Sequence, residues 1–457
     1  MFAIGGREAY VGFGAEFTRQ RFSDRPDPIY QGPNALQPDY ADEPIGSTAG
    51  QPLFDAERKS RGVFAELVLP LLKELELTGA LRYDDYDAPR DSFNLAPDGS
   101  LLGPARKGNN ASESTYKLSL RYQPSREWLF RGSIGTGFRA PTLGDIVEPL
   151  ADFGVIGTRR PCPVGSGDPL YVGCRTTPTQ YRQFRGGNAL TGDAGLAPET
   201  SDQWTVGLRF EPTSNFGIGL DYWSVKIKDA ITLIPEDTAF DNFALYRELF
   251  TLTTDPDTGL PILTFNQTRV NSAERVSKGV DWDVVLRGHF QDARITTRFI
   301  GTYLIDSYFD LGFGNGKESS IGKMGSDDQV AFRVLTRLST TVETGKFANT
   351  LTWSWRPGYK DQTYSADDYT IREQLPDGSP GDIVGVGDHR VSSYSLFDWQ
   401  TVYAHDKAMS LTFGIKNLFD KKPPFTIKTV GGNHVGVDPR YHDVIGRLFY
   451  LNLKASF

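Results

Sequence analysis

The chain has 457 residues, a net charge of -8 at neutral pH, 48 glycines and 12% aromatic residues, but only 3 methionines and 2 cysteines. That balance, without Lys/Arg blocks, excludes the electrostatic footprint of a nucleic-acid binder, and no run approaches the roughly 18 consecutive apolar residues of a membrane-spanning helix. Polar and apolar residues stay mixed from end to end, which argues for one repetitive all-β architecture over a string of soluble domains.

The start, MFAIGGREAYVGFGAEF, lacks a basic n-region, a sustained apolar h-region and a cleavage site, so it does not read as a secretory signal. Beyond it, about fourteen candidate strands follow by their period-two alternation. A long polar segment at 23 to 60 precedes FAELVLPL (Phe64 to Leu71), a short turn at Lys73-Glu74 and LRYDDYD (Leu81 to Asp87). A second long segment, 87 to 112, leads to TYKLSLRYQ, which puts Tyr116, Leu118, Leu120 and Tyr122 on one face and Lys117, Ser119, Arg121 and Gln123 on the other. The turn PSRE (Pro124 to Glu127) comes next, then a strand ending in GTGFRAPTLGDI (Gly135 to Ile146) and the longest loop, 140 to 200.

QWTVGLRF repeats the alternation, with Trp204, Val206, Leu208 and Phe210 against Thr205 and Arg209. EPTSN (Glu211 to Asn215) turns the chain back into DYWSVKIKDAI (Asp221 to Ile231), and a segment at 231 to 273 separates that from KGVDWDV (Lys278 to Val284). Turns at Gln291-Asp292 and near Gly345-Lys346 bracket a loop at 307 to 327. LTWSWRP, with Leu351, Trp353 and Trp355 on one side, is followed by a loop at 361 to 392, the turn HDKA (His405 to Ala408), a loop at 420 to 445, and the terminal run ending YLNLKASF. In that run Phe449, Leu451, Leu453, Ala455 and Phe457 oppose Tyr450, Asn452, Lys454 and Ser456.

Short and long connections therefore alternate without a break. In an antiparallel up-and-down meander this places every tight turn at one rim and every long loop at the other, the arrangement of transmembrane barrels with short periplasmic turns and long extracellular loops. Aromatics near strand ends (Trp128, Trp223, Trp399, Tyr403 and Phe419) suit interfacial girdles. The apolar face is expected to meet lipid and the polar face, with Lys117, Arg121, Arg209 and Lys454, the lumen. Backbone groups in lipid need partners, so such a sheet must close. A soluble all-β carbohydrate-binding or hydrolytic protein is the rival from outside the membrane class.

GTGFRAPTLGDI closely resembles the strand-to-loop signature of TonB-dependent outer-membrane receptors, in Gly137, Phe138, Arg139, Ala140, Pro141, Thr142 and the acidic Asp145. FAELVLPL, LRYDDYD, LAPETSDQWTVGL (Leu196 to Leu208) leading into DYWSVKIKDAI, KGVDWDV, KNLFDKK (Lys416 to Lys422) and the terminal strand follow the family's order over nearly the whole chain. The resemblance implies that residues 1–457 form the carboxy-terminal portion of a receptor barrel in the outer membrane of a Gram-negative bacterium: about 14 strands of a barrel of about 22. On that reading the family's plug domain, energy-coupling box and earlier strands are expected to be missing ahead of Met1. It further implies energy-coupled uptake of a scarce ligand such as a ferric siderophore, cobalamin or a glycan. A TonB complex would be reached only through the missing amino-terminal region, and outer-membrane lipid, lipopolysaccharide and the barrel-assembly machinery would be partners. Phe457 looks like the terminal signal which that machinery reads. A passive, porin-like channel is the alternative within the membrane class.

Cys162 and Cys174, in CPVGSGDPLYVGC of the longest loop, favour a disulfide over a metal site, because the count is even and no histidine lies in the loop. Arg159, Arg160, Arg175, Arg182 and Arg185 with Tyr171, Tyr181 and Phe184 make the same loop the candidate site for an anionic chelate or a sugar ring, through charge-assisted hydrogen bonds and stacking; a solvated basic loop is the plainer reading. GFGNGKESS (Gly312 to Ser320) departs from a phosphate loop at Glu318, and DPDTG (Asp255 to Gly259) lacks the spacing of a calcium loop. No nucleophile elbow, zinc-protease helix or cofactor motif is found, so no catalysis, metal or cofactor is expected.

Overall fold

The computed structural model describes residues 2–4, 7–24, 54–91, 107–148, 150–157, 159–187, 195–255, 258–314, 316–325, 329–361, 371–385, 389–406, 408–430 and 434–456. Phe457 and its expected role lie outside the described residues. One 16-stranded sheet dominates; two of its members, Phe2–Ile4 and Arg90–Asp91, are short. The remaining fourteen are β1 (Arg7–Asp24), β2 (Phe54–Pro70), β3 (Leu75–Tyr86), β4 (Ala111–Tyr122), β5 (Trp128–Arg139), β6 (Glu199–Thr213) and β7 (Phe216–Leu233). The series continues with β8 (Arg269–Phe290), β9 (Ala293–Asp310), β10 (Val334–Thr344), β11 (Phe347–Arg356), β12 (Tyr394–Ala404), β13 (Met409–Lys416) and β14 (Leu448–Ala455).

Each long strand is hydrogen-bonded, antiparallel, to its neighbour in sequence, so the sheet is a pure meander. Connections alternate strictly: the turns at 71–74, 123–127, 214–215, 291–292, 345–346 and 405–408 are short and the other seven are long. In the two-residue turns at 291–292 and 345–346 left-handed backbone matches the twist of the paired strands, with φ of 53° at Gln291 and 58° at Gly345. Among the described residues β14 is not paired with β1 or with Phe2–Ile4, so the sheet's ends stay apart.

Cross-strand register shows what alternation does over this whole surface. Leu69, Leu77, Leu120, Gly132, Val206, Tyr222, Val280 and Tyr303 are successive partners from β2 to β9. One residue along, Glu76, Arg121, Arg131, Gly207, Asp221, Asp281 and Thr302 form an equally continuous polar row facing the other way. The apolar face continues through Phe299, Leu338, Trp353 and Phe397 to Phe413 and Leu451.

Large apolar side chains on that face stand exposed, with Phe13 at 85% and Phe17 at 80%. A soluble sheet would bury them against a second layer. The three buried apolar clusters lie elsewhere, almost entirely in the long connections: around Ile156, Phe240 and Phe265; around Ile146 and Leu196; and around Met324, Tyr359 and Val391. No helix among the described residues is long and apolar enough to cross a membrane, which says nothing about crossing by strands.

Candidate ligand-binding loop site

The connections 140–198 and 234–268 fold together into a lobe beyond the ends of β5 to β8. Its frame is a four-stranded sheet in the order Phe250–Thr254, Pro261–Gln267, Arg182–Arg185, Ala151–Val155. Its core holds Ile156, Tyr181, Ile234, Ala239, Phe240, Leu249, Phe250, Leu263 and Phe265. Cys162 and Cys174 are joined by a disulfide with Cα atoms 5.4 Å apart, and Cys174 packs against this core. Loop closure of this kind restricts the unfolded chain and holds the 3-10 turn Pro169–Gly173 on the sheet.

The lobe explains where the eight candidate binding residues go. Tyr181 is 0% exposed and Phe184 is 2% exposed, so neither ring offers a face to a ligand; both serve the lobe's packing. Burial pushes the Tyr181 phenol above its ordinary value, which keeps it neutral. Arg160 is paired with Asp237 and Asp241 of the helix Glu236–Asp241. Arg175 lies 3.6 Å from Asp255, Arg182 donates to the Thr254 carbonyl at 3.2 Å, and the Arg185 guanidinium lies 3.6 Å from the centroid of Phe153. Arg159 and Tyr171 are exposed. Asp168 caps the 3-10 turn at the Leu170 N–H and accepts from Arg247, and those two bonds hold its carboxyl below the usual range. Most of the loop's arginines thus bind it together, leaving Arg159 and Tyr171 on its surface.

A second constellation was not singled out from the sequence as a unit. Arg139, the last residue of β5, forms a two-pronged pair with Glu199, the first of β6, at 2.8 and 2.5 Å. Glu199 also accepts the Ile231 N–H at 2.7 Å. Arg139 reaches Asp145 at 3.3 Å, as does Arg269, the first residue of β8, which also bonds Glu148 at 3.1 Å. Thr142 and Asp145 cap the short helix α1 (Leu143–Val147) reciprocally, each side chain bonding the other's backbone N–H. The signature GFRAPTLGDI, the LAPET segment and the end of DYWSVKIKDAI are therefore one charged knot that fixes the loop bases to the sheet. Opposite charges on adjacent strand ends are the signal that could have revealed it.

KNLFDKK is likewise a built turn. Asn417 adopts φ of 51°, accepts the Lys421 N–H at 2.7 Å through Oδ1 and donates to the Lys421 carbonyl at 3.0 Å. Asn is among the few residues that tolerate that conformation while closing the loop with their own side chain. Among the described residues no group of three or more His, Cys, Asp or Glu is placed to hold a metal.

The profile of the family described as TonB dependent receptor-like, beta-barrel, matches residues 2–418. The chain belongs to that family, whose members are outer-membrane transport proteins of Gram-negative bacteria rather than enzymes. Among solved structures it is similar to the siderophore receptor PirA from Acinetobacter baumannii, at 17% identity and a TM-score of 0.59 over 98% of this chain and 52% of that one. It is similar also to the ferric enterobactin receptor PfeA from Pseudomonas aeruginosa, at 18% identity and 0.59 over 99% and 52%. At this identity the likeness speaks for the fold, and the chain spans about half the length of these relatives. No curated protein matches the sequence.

Proposed function

We propose that this chain is the carboxy-terminal barrel portion of a TonB-dependent receptor, supplying fourteen of about 22 strands and working in energy-coupled import of a scarce nutrient. The unbroken apolar face from β1 to β14, with all six short turns on one rim and all seven long connections on the other, carries this reading. A face of that kind is stable in hydrocarbon and unstable in water. The short turns face the periplasm and the loop lobes face outward. Ligand capture belongs to those lobes, with Arg159 and Tyr171 as the available contacts and Arg160, Arg175, Arg182 and Arg185 shaping the basic surface behind them. PirA is titled a siderophore receptor and PfeA a ferric enterobactin receptor; a ferric siderophore is accordingly the ligand class to try first. A plug, an energy-coupling segment and the remaining strands would be contributed from upstream, with assembly by the barrel machinery through the terminal strand.

The test is to sequence upstream of Met1 and to express the longest in-frame product in a strain lacking its own siderophore receptors. Growth under iron limitation on one of a panel of siderophores, abolished by dissipating the inner-membrane proton gradient, is expected. Growth that survives dissipation, or passive ion conductance without ligand preference, would replace the receptor reading with a channel.

A further inference from the structure

We infer that the apolar face of β2 to β4 holds one outer-leaflet lipid, an acylated saccharide carrying more than one phosphate. The observations lie along a single face of the sheet. At its apolar end Val11, Leu67, Gly79 and Leu118 are successive cross-strand partners, and Ala65, Leu81 and Tyr116 form the next row. Gly79 and Ala65 leave a trough between larger neighbours, a groove of about 510 Å³. Its walls are exposed, with Leu81 at 67%. One row nearer the long-loop rim, Val63 and Tyr83 are paired and line a second recess. There the chemistry changes: Arg61 is opposite Asp85, Lys59 follows, and Glu57 is opposite Arg90. Every second residue of a strand shares a face, so these charges stand directly above the groove.

Ion pairing at that end is incomplete. Arg19 is matched by Glu57, Arg21 by Asp55, and Arg61 by Asp85 and Asp87. Lys59, Arg90 and Lys107 make no ion pair or side-chain hydrogen bond with another described residue, yet all line one cavity of about 470 Å³. A backbone bridge holds Arg90 and Lys107 side by side. At the corresponding height on β6 to β8, by contrast, Lys226 is neutralised by Glu274 and Lys228 by Asp202. Cations left over around one recess match a headgroup with more charge than a single phosphodiester. Asn110, whose Oδ1 accepts the Ala88 N–H at 2.7 Å, lines the same cavity and can donate its amide hydrogens to sugar hydroxyls. Lys59 and Ala65 are separated by roughly 20 Å along β2, about 15 Å in depth at the usual strand tilt, which is half of a hydrocarbon core about 30 Å thick. Charge and groove are therefore spaced as the headgroup and chains of a lipid from one leaflet.

This inference rests on the apolar face meeting lipid, as the receptor reading requires. Strands from upstream would join the meander at its edges and a plug would occupy the other face, so neither covers this one. The longest in-frame product, inserted in phosphatidylcholine nanodiscs, is loaded with diphosphoryl lipid A or with phosphatidylglycerol and read by native mass spectrometry. One bound lipid A per chain is expected, surviving activation that strips phosphatidylglycerol. The triple variant Lys59→Gln, Arg90→Gln, Lys107→Gln should lower that occupancy about tenfold, while Lys226→Gln with Lys228→Gln leaves it unchanged. Gly79→Leu, which fills the groove, should lower it as well. Equal occupancy in wild type and triple variant, equal retention of phosphatidylglycerol, or displacement by inorganic phosphate overturns the site while leaving the receptor reading intact; a product that stays soluble without lipid overturns both.

Discussion

Glu199 shows how much one side chain can organise. Its carboxylate accepts from two atoms of Arg139 and from the Ile231 N–H, and so ties β5, β6 and the end of β7 to one point. Glu199→Ala would leave Arg139 partly unmatched and one backbone donor orphaned, a loss of about 1.5–3 kcal/mol by the usual worth of bonds to charged groups. A lower denaturation midpoint, with Arg139→Met adding little further in the double variant, is the expected result. His442 poses the pH question. It is 3% exposed, stacks edge-on against Tyr394, and is held below its ordinary value by burial, then by the nearby Arg356, against the weaker opposing pull of Asp438. The unfolded chain therefore binds the proton more readily, so this contribution is complete above the unfolded value of about 6.5 and falls as pH drops through the window beneath it. The protection of residues 434–447 against hydrogen exchange, corrected for the intrinsic pH dependence of exchange, should fall as pH drops below about 6.5, and His442→Gln should flatten that dependence.

Among the elements, the strands were legible and the lobes were not, for a physical reason. A strand with one face in each environment writes a period of two into its own residues, as TYKLSLRYQ does, and the six short turns sit where the polar breaks put them. The lobe core is assembled from Ile156, Tyr181, Phe240 and Phe265, which share no local period and meet only through tertiary folding. This is why Tyr181 and Phe184 could read as ligand contacts while serving as core. Strand ends were also underestimated: β1 runs to Asp24 and β2 begins at Phe54, where the sequence suggested a loop from 23 to 60. Beyond the apolar band those strands are mostly polar, Phe22 and its partner Ala56 excepted, and are joined by pairs such as Arg19–Glu57 and Arg21–Asp55, so alternation weakens while pairing continues. The glycines in mid-strand had no evident purpose in sequence. Gly207 lies between Arg131 on β5 and Asp221 on β7, which bond across it at 2.7 Å, and a Cβ there would meet Asp221 Oδ1 at 1.9 Å. Gly219 stands in the same way between Arg209 and Asp283. Gly207→Ala should cost about 1–3 kcal/mol by overpacking and separate the Arg131–Asp221 pair, visible as a lost coupling in the corresponding double-mutant cycle. The lobe offers an independent check: Cys162→Ser with Cys174→Ser should expose residues 150–187 to protease while the meander persists, consistent with the roughly 3 kcal/mol that a closed loop of this length contributes.

At the scale of the whole molecule, two faces with opposite chemistry run through every strand, and the buried apolar clusters sit in the loops. On the receptor reading a surrounding apolar medium stabilises that distribution; in water the exposed band from Phe13 to Leu453 would drive aggregation or a second layer. The direct test compares neighbouring positions by spin labelling in bilayers. Labels at Leu81, Leu118, Ile134 and Val206 should collide with oxygen and resist a water-soluble nickel complex, and labels at Lys117, Arg131 and Thr205 should show the reverse. An alternating contrast along each strand is what a lipid-facing band requires; equal accessibility at adjacent positions, or shielding of the apolar set from both reagents, would contradict it.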